Sequence, residues 1–206
     1  MSIIKLRSCS KKILLLLIIL ALLGGVADKS IPLLVTRVLN IPLFLDMIFC
    51  LAFSFINPIL GFICTVTGYV FSLIYEKNML FFLFSICTFC GIITVWLFKK
   101  FVMDKNSNSF VMVFAEVLIL CVLVCIVESV TGGIISRIIG MISGTDNYPT
   151  YQTDFIILMF RVHVKSPLVA TIMSRFPINI ADRFISVPLS FLAYLGIKKM
   201  MGLEVK

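Results

Sequence analysis

Long apolar runs, broken by short polar stops, dominate the chain. The first runs from Ile13 to about Ala27 and meets Asp28-Lys29-Ser30. A mixed stretch with Pro32 and Pro42 follows, then Leu43 to Ile56, stopped by Asn57-Pro58 because proline disfavours helix at the residue before it. The next run, Ile59–Tyr75, closes at Glu76-Lys77-Asn78, and Leu80–Val102 closes at Asp104–Ser109. Phe110 to Ile142 is unbroken, and its 33 residues exceed the ~20 that a bilayer requires. Part of it is therefore expected to leave the lipid or line a cavity. Ser143–Asp154 is the one long polar connection, and a last run ends near Lys198. The pattern predicts an all-α membrane protein, one domain over 1–206, with six spans near 13–27, 31–56, 59–75, 80–102, 110–142 and 168–198.

Composition agrees: 61% of the 206 residues are hydrophobic and 14% charged, with a mean hydropathy of +1.15. A soluble domain has roughly 25% charged residues. The net charge is +8, and Lys and Arg cluster at the ends of the runs, as at Lys11 and Lys12, Lys99 and Lys100, and Lys198 and Lys199. Such clusters hold loops on the cytoplasmic side, so both termini are expected to be cytoplasmic. Asp28–Ser30, Glu76–Asn78 and Ser143–Asp154 then fall on the opposite face. Basic residues are not interleaved with exposed aromatics, which argues against nucleic acid. The basic leader and Ile13–Leu23 resemble a signal peptide, but the runs that follow favour a retained first helix.

Six of the seven cysteines lie inside apolar runs. Cys87-x-x-Cys90 has metal or redox spacing but no second Cys/His pair, so buried packing is the expected use. The lone His163, between Arg161 and Lys165, excludes a multi-histidine metal site. No P-loop, nucleophile elbow or zinc-protease motif is present, so neither an enzyme nor a bound cofactor is expected.

Ionisable groups inside apolar runs are functional candidates, because an unpaired one costs several kcal/mol in hydrocarbon. They are Asp46, Glu116, Glu128 and Asp182, with Arg183 beside the last. Asn179, Asp182, Arg183 and Ser186 stand at i, i+3, i+4 and i+7 and share one helical face. Ile180, Phe184, Val187 and Phe191 form the other. The polar face is an interhelical clamp, with Asp182 or Asp46 neutralising Arg183, a ligand lining, or both, since clamp and pocket are not exclusive. Glu128, Gly132 and Ser136 share a face of the fifth span, where glycines suit close helix approach and Glu128 is a substrate-contact candidate. Ala21-x-x-x-Gly25, with Gly24, makes a small-residue patch for another helix of this chain or for a partner protein.

Ile41-Pro42-Leu43-Phe44-Leu45-Asp46, then Asn57-Pro58-Ile59-Leu60-Gly61, and finally Pro177-Ile178-Asn179-Ile180-Ala181-Asp182-Arg183-Phe184-Ile185-Ser186-Val187 with Tyr194, form an ordered set. With Gly132-Gly133 between them, this set resembles the substrate-binding S components of energy-coupling factor (ECF) transporters, in particular their uncharacterised members. The resemblance implies a six-helix subunit of a bacterial plasma membrane that captures a vitamin or similar small molecule. Its partners would be a transmembrane coupling protein and two ATPase subunits. It implies Asp46, Glu128, Asn179, Asp182 and Arg183 at the substrate, Ala21, Gly24 and Gly25 at the docking face, and Ser143–Asp154 in a lid. The alternative is a membrane-embedded sensor or scaffold that shares the fold without transport. A sensor usually carries a cytoplasmic output domain, and only seven residues follow Lys199, which favours transport.

Overall fold

The computed structural model describes residues 11–37, 45–76, 79–104, 109–142 and 164–202. Ile41–Phe44 of the early motif, the Ser143–Asp154 connection, Arg161 and His163 lie outside the described residues. The described chain is all α-helical: α1 (Lys11–Arg37), α2 (Ile48–Ile56), α3 (Pro58–Glu76), α4 (Ser85–Phe98), α5 (Phe110–Ile142) and α6 (Pro167–Met200). A 3-10 segment, Met79–Phe84, leads into α4, and a π turn, Lys99–Met103, leaves it. Four of these helices are long and apolar enough to cross a membrane: α1, α4 with its flanking turns, α5 and α6.

The first two expected spans need correction. Asp28-Lys29-Ser30 does not interrupt the first helix, which continues through Pro32 to Arg37. The helix tolerates the three polar residues because each finds a partner within the bundle. Ser30 Oγ donates to Val26 O at 2.9 Å, and the Lys29 ammonium sits 3.9 Å from the centre of the Tyr69 ring. Asp28 is 4% exposed and takes two backbone N–H groups of α2. These residues therefore do not form an external loop. Ile31–Arg37, assigned to the second span, belong to α1, and α2 is only nine residues long. At 1.5 Å per residue it covers about 14 Å, half a hydrocarbon core of ~30 Å.

So short a helix is marginal by itself, and its neighbours hold it at both ends. Met47, at its N-cap, is left-handed (φ 68°) and gives no side-chain cap. Asp28 of α1 supplies the cap instead, accepting Phe49 N and Cys50 N at 2.8 Å each. At the other end Lys99 Nζ donates to Phe55 O, a terminal carbonyl of α2, and lies 4.9 Å from the Tyr194 ring centre. An anion at the N-terminus and a cation at the C-terminus match the helix dipole. Lys99 is thus buried rather than part of the charged edge assigned to it, whereas Lys100 is exposed beside Trp96. Cys50 through Ile56 are all buried, because α2 is surrounded by α1, α3, α4 and α6.

The break after α2 follows the expected rule: Asn57 is extended, its Oδ1 accepts Ile59 N at 2.9 Å, and Pro58 opens α3. The small patch on α1 is used internally. Ala21, Gly24 and Gly25 are buried, with Gly24 against Phe49 and Phe53, and Gly25 against Cys64 O and Gly68 N of α3. They are therefore not on an open docking face. The face of α1 that remains open carries Leu15, Leu16, Ile19, Leu22 and Leu23. Helix α5 is continuous over all 33 residues, and its inner side carries polar and small residues together with apolar ones such as Leu120, Val124 and Ile139. Glu128, Ser129, Gly132 and Ser136 face inward, while Ile126, Val130, Ile134 and Ile138 face out. A Cβ on Gly133 would lie 2.5 Å from Ile172 Cγ1 and 3.0 Å from Ile172 Cα, so this glycine sets the approach of α5 to α6.

Candidate functional site

Arg183 is the centre of a buried ionic layer assembled from three parts of the chain. Its own helix α6 contributes Asp182, whose Oδ2 is 3.3 Å from Arg183 Nη2. Helix α5 contributes Glu128, whose Oε2 pairs with Arg183 Nε. The strap before α2 contributes Asp46, with Oδ1 2.8 Å from Nη2 and its backbone carbonyl 3.1 Å from Nη1. Ser186 Oγ, 3.2 Å from Nη1, completes the set. The planar fork of a guanidinium explains why arginine fits here, since its five N–H donors serve several acceptors at fixed angles. Arg183 is 4% exposed, Glu128 2% and Asp182 0%.

The strap itself is held in a conformation that L-residues rarely adopt. Leu45 and Met47 have φ of 45° and 68°. Each left-handed residue costs roughly 1–2 kcal/mol, so surrounding contacts must enforce it. Asp182 Oδ1 accepts Leu45 N at 2.7 Å on one side, and Asp28 captures Phe49 and Cys50 on the other. Asp46 is thereby turned toward Arg183. Asp28 is a site residue that the pattern of polar stops concealed.

The expected residues divide plainly. Asp46, Glu128, Asp182 and Arg183 come together, and Asn179, Asp182, Arg183 and Ser186 share one buried face. Asn179 lies beside the ion pairs rather than within them, donating from Nδ2 to Ser129 Oγ at 2.9 Å. Glu116, twelve residues from Glu128, lies about 18 Å away along α5 and does not join. Both of its oxygens are buried without a hydrogen-bond partner. Of the apolar face of α6, Ile180 and Phe184 are exposed, whereas Val187 is fully buried and Phe191 packs against Phe55 and Tyr194. Ala21, Gly24 and Gly25 are packing residues, as described above. Cys87 donates to Glu128 O at 3.4 Å and accepts from Thr131 at 3.2 Å, and Cys87 and Cys90 are not joined in a disulfide. Among the described residues no group of histidine, cysteine and carboxylate side chains is arranged to hold a metal ion.

Beside the layer, a cavity of about 10 Å³ is lined by Asp28, Lys29, Met47, Thr65, Tyr69 and Thr88 among others. That is room for roughly one water molecule. Tyr69 Oη and Thr88 Oγ1 are 3.3 Å apart across its wall, while Thr65 Oγ1 is buried without a partner.

Asp28→Ala should leave two buried N–H groups of α2 without an acceptor. A loss of about 2 kcal/mol is expected, read as a lower melting temperature in detergent, with a smaller loss for Asp28→Asn. An unchanged melting temperature would show that α2 is not held by this cap.

Comparison with family models, curated proteins and solved structures finds no match to the chain. Fold and site define it only as an all-α, membrane-embedded protein with a buried charged layer.

Proposed function

We propose that the chain is a substrate-capture subunit of an ECF-type importer: a six-span bacterial plasma-membrane protein with cytoplasmic termini that binds a small molecule. The observation that carries this reading is the Arg183 layer. One cation and three carboxylates from α5, α6 and the strap before α2 converge inside an apolar bundle. Groups so costly to bury are kept where they bind, or where they select one packing. The sequence resemblance, whose motifs include Asp46, Asp182 and Arg183, supports the binding role. The polar wall of the adjacent cavity supplies further donors and acceptors. A coupling protein and two ATPases would complete the transporter.

The second reading, a sensor or scaffold without transport, gains from one observation. The small residues Ala21, Gly24 and Gly25 are buried, Gly24 against α2 and Gly25 against α3, which counts against them as a landing place for a coupling protein. The two readings separate in one experiment. A tagged chain extracted in mild detergent from its native membrane is expected to bring down a membrane coupling protein and two ATPases. A small molecule should be released on denaturation. A clean chain, with neither ATPase nor ligand, would transfer the conclusion to the sensor or scaffold.

A further inference from the structure

The ionic layer is unbalanced. Arg183 faces three carboxylates, Asp46, Glu128 and Asp182, and the neighbouring Asp28 and Lys29 cancel each other formally. Arg183 forms ion pairs with Glu128 Oε2, Asp46 and Asp182 and bonds Ser186, while its Nε and Asp182 Oδ2 make no hydrogen bond. Yet Glu128 Oε1 is buried and has no hydrogen-bond partner. A buried carboxylate oxygen without a donor, in a layer with surplus negative charge, favours contact with a positive group that carries N–H bonds.

The surroundings show how such a group would be accommodated. A Cβ on Gly91 would lie 2.7 Å from Glu128 Oε1 and 3.0 Å from Met47 Cε, so the glycine leaves this oxygen and the methionine tip side by side. Met47 also lines the water-sized cavity, together with Asp28, Thr65 and Tyr69. Its side chain therefore contributes both to the cavity wall and to the surroundings of this oxygen. Methionine is unbranched and flexible, the side chain best able to swing aside. Thr65 Oγ1, a second buried atom without a partner, faces the same cavity from α3. Lys29, the other cation at this cavity, is occupied by the Tyr69 ring at 3.9 Å.

We infer that the site takes an organic cation with N–H donors, a primary ammonium or amidinium, seated on Glu128 Oε1 in the space that Met47 now fills. The uncharged remainder of the ligand requires the volume that Met47 vacates together with the water-sized cavity beside Thr65 and Tyr69. This inference rests on the reading of the layer as a ligand site, but it requires no coupling partner.

The test uses the full chain purified in detergent, with butylammonium as probe and butyrate and butan-1-ol as matched controls. Butylammonium is expected to raise the melting temperature saturably, and the controls are not. Met47→Ala should bind it at least about three-fold tighter, a change of ~0.7 kcal/mol, because the plug is removed. Folded Glu128→Gln should lose the response. An equal response to butan-1-ol, or a full response in Glu128→Gln, would overturn the assignment. So would stabilisation by lower pH alone with no cation effect, since a proton would then satisfy this oxygen. If Glu128→Gln does not fold, Met47→Ala decides, and an affinity equal to the parent chain's overturns the inference. A chain that binds butylammonium but brings down no ATPase keeps this inference and loses the ECF assignment. A chain that brings down the ATPases without binding butylammonium does the reverse.

Discussion

Arg183→Leu is expected to destabilise the protein more than any other substitution in the ionic layer. The change leaves Asp46, Glu128 and Asp182 facing one another without a cation, and Glu128 and Asp182 are almost fully buried. Removing one partner of a buried ion pair costs about 3–5 kcal/mol, a large part of the 5–15 kcal/mol that holds a typical domain. Expression in the membrane and the melting temperature in detergent should both fall steeply. Arg183→Lys should restore only part of the loss, because an ammonium cannot serve Nε-side and Nη-side acceptors together. Asp182→Asn should be milder, since an amide oxygen still accepts Leu45 N–H and one negative charge is removed. A melting temperature for Arg183→Leu equal to that of the parent would mean that the carboxylates are balanced without the guanidinium. The layer would then not be a clamp.

The second large effect is expected at Gly25, and its cause is steric. A Cβ there would overlap Cys64 O and approach Gly68 N at 2.9 Å, both of them backbone atoms of α3. Backbone cannot swing aside as a side chain can, so α1 and α3 must separate. Gly25→Ala should cost about 1–3 kcal/mol, and Gly25→Leu should prevent assembly. Gly68→Ala should behave alike, because its Cβ would lie 2.6 Å from Gly25 O. Gly196, with nothing within 4 Å of an added Cβ, is the control. Gly196→Ala should be neutral or slightly stabilising through helix propensity. A neutral Gly25→Leu that lost only a binding partner would restore the docking role given to this patch by sequence.

These substitutions also mark what could be read before folding. The Asn179, Asp182, Arg183 and Ser186 face on α6 was legible because helical periodicity is local: residues three and four apart must share a side. Glu128, Gly132 and Ser136 on α5 were legible for the same reason. In an apolar bundle the inward face is marked by polar and small residues, the reverse of a soluble helix. The break at Asn57-Pro58 was legible because the restriction before proline is steric and immediate.

Asp28 and Lys99 were misread for one physical reason. A charge near the end of an apolar run reads as the edge of the membrane, yet both side chains are spent on the ends of α2. Nothing in the sequence near Asp28 reveals that two N–H groups 21 and 22 residues away lack a cap. The small residues of α1 were ambiguous in the same way: spacing shows that a helix comes close but does not say which.

The sequence by itself therefore determined the helical class, the membrane character, the faces of α5 and α6 and the residues too costly to bury alone. Each of these follows from forces acting within a helical turn or between residue and solvent. Only the tertiary structure decided that Asp46 reaches Arg183 across 137 residues, that α1 closes on α3 at Gly25, and that one oxygen of Glu128 is left without a donor. Those outcomes depend on which helices become neighbours, and that is settled by the packing of the whole bundle.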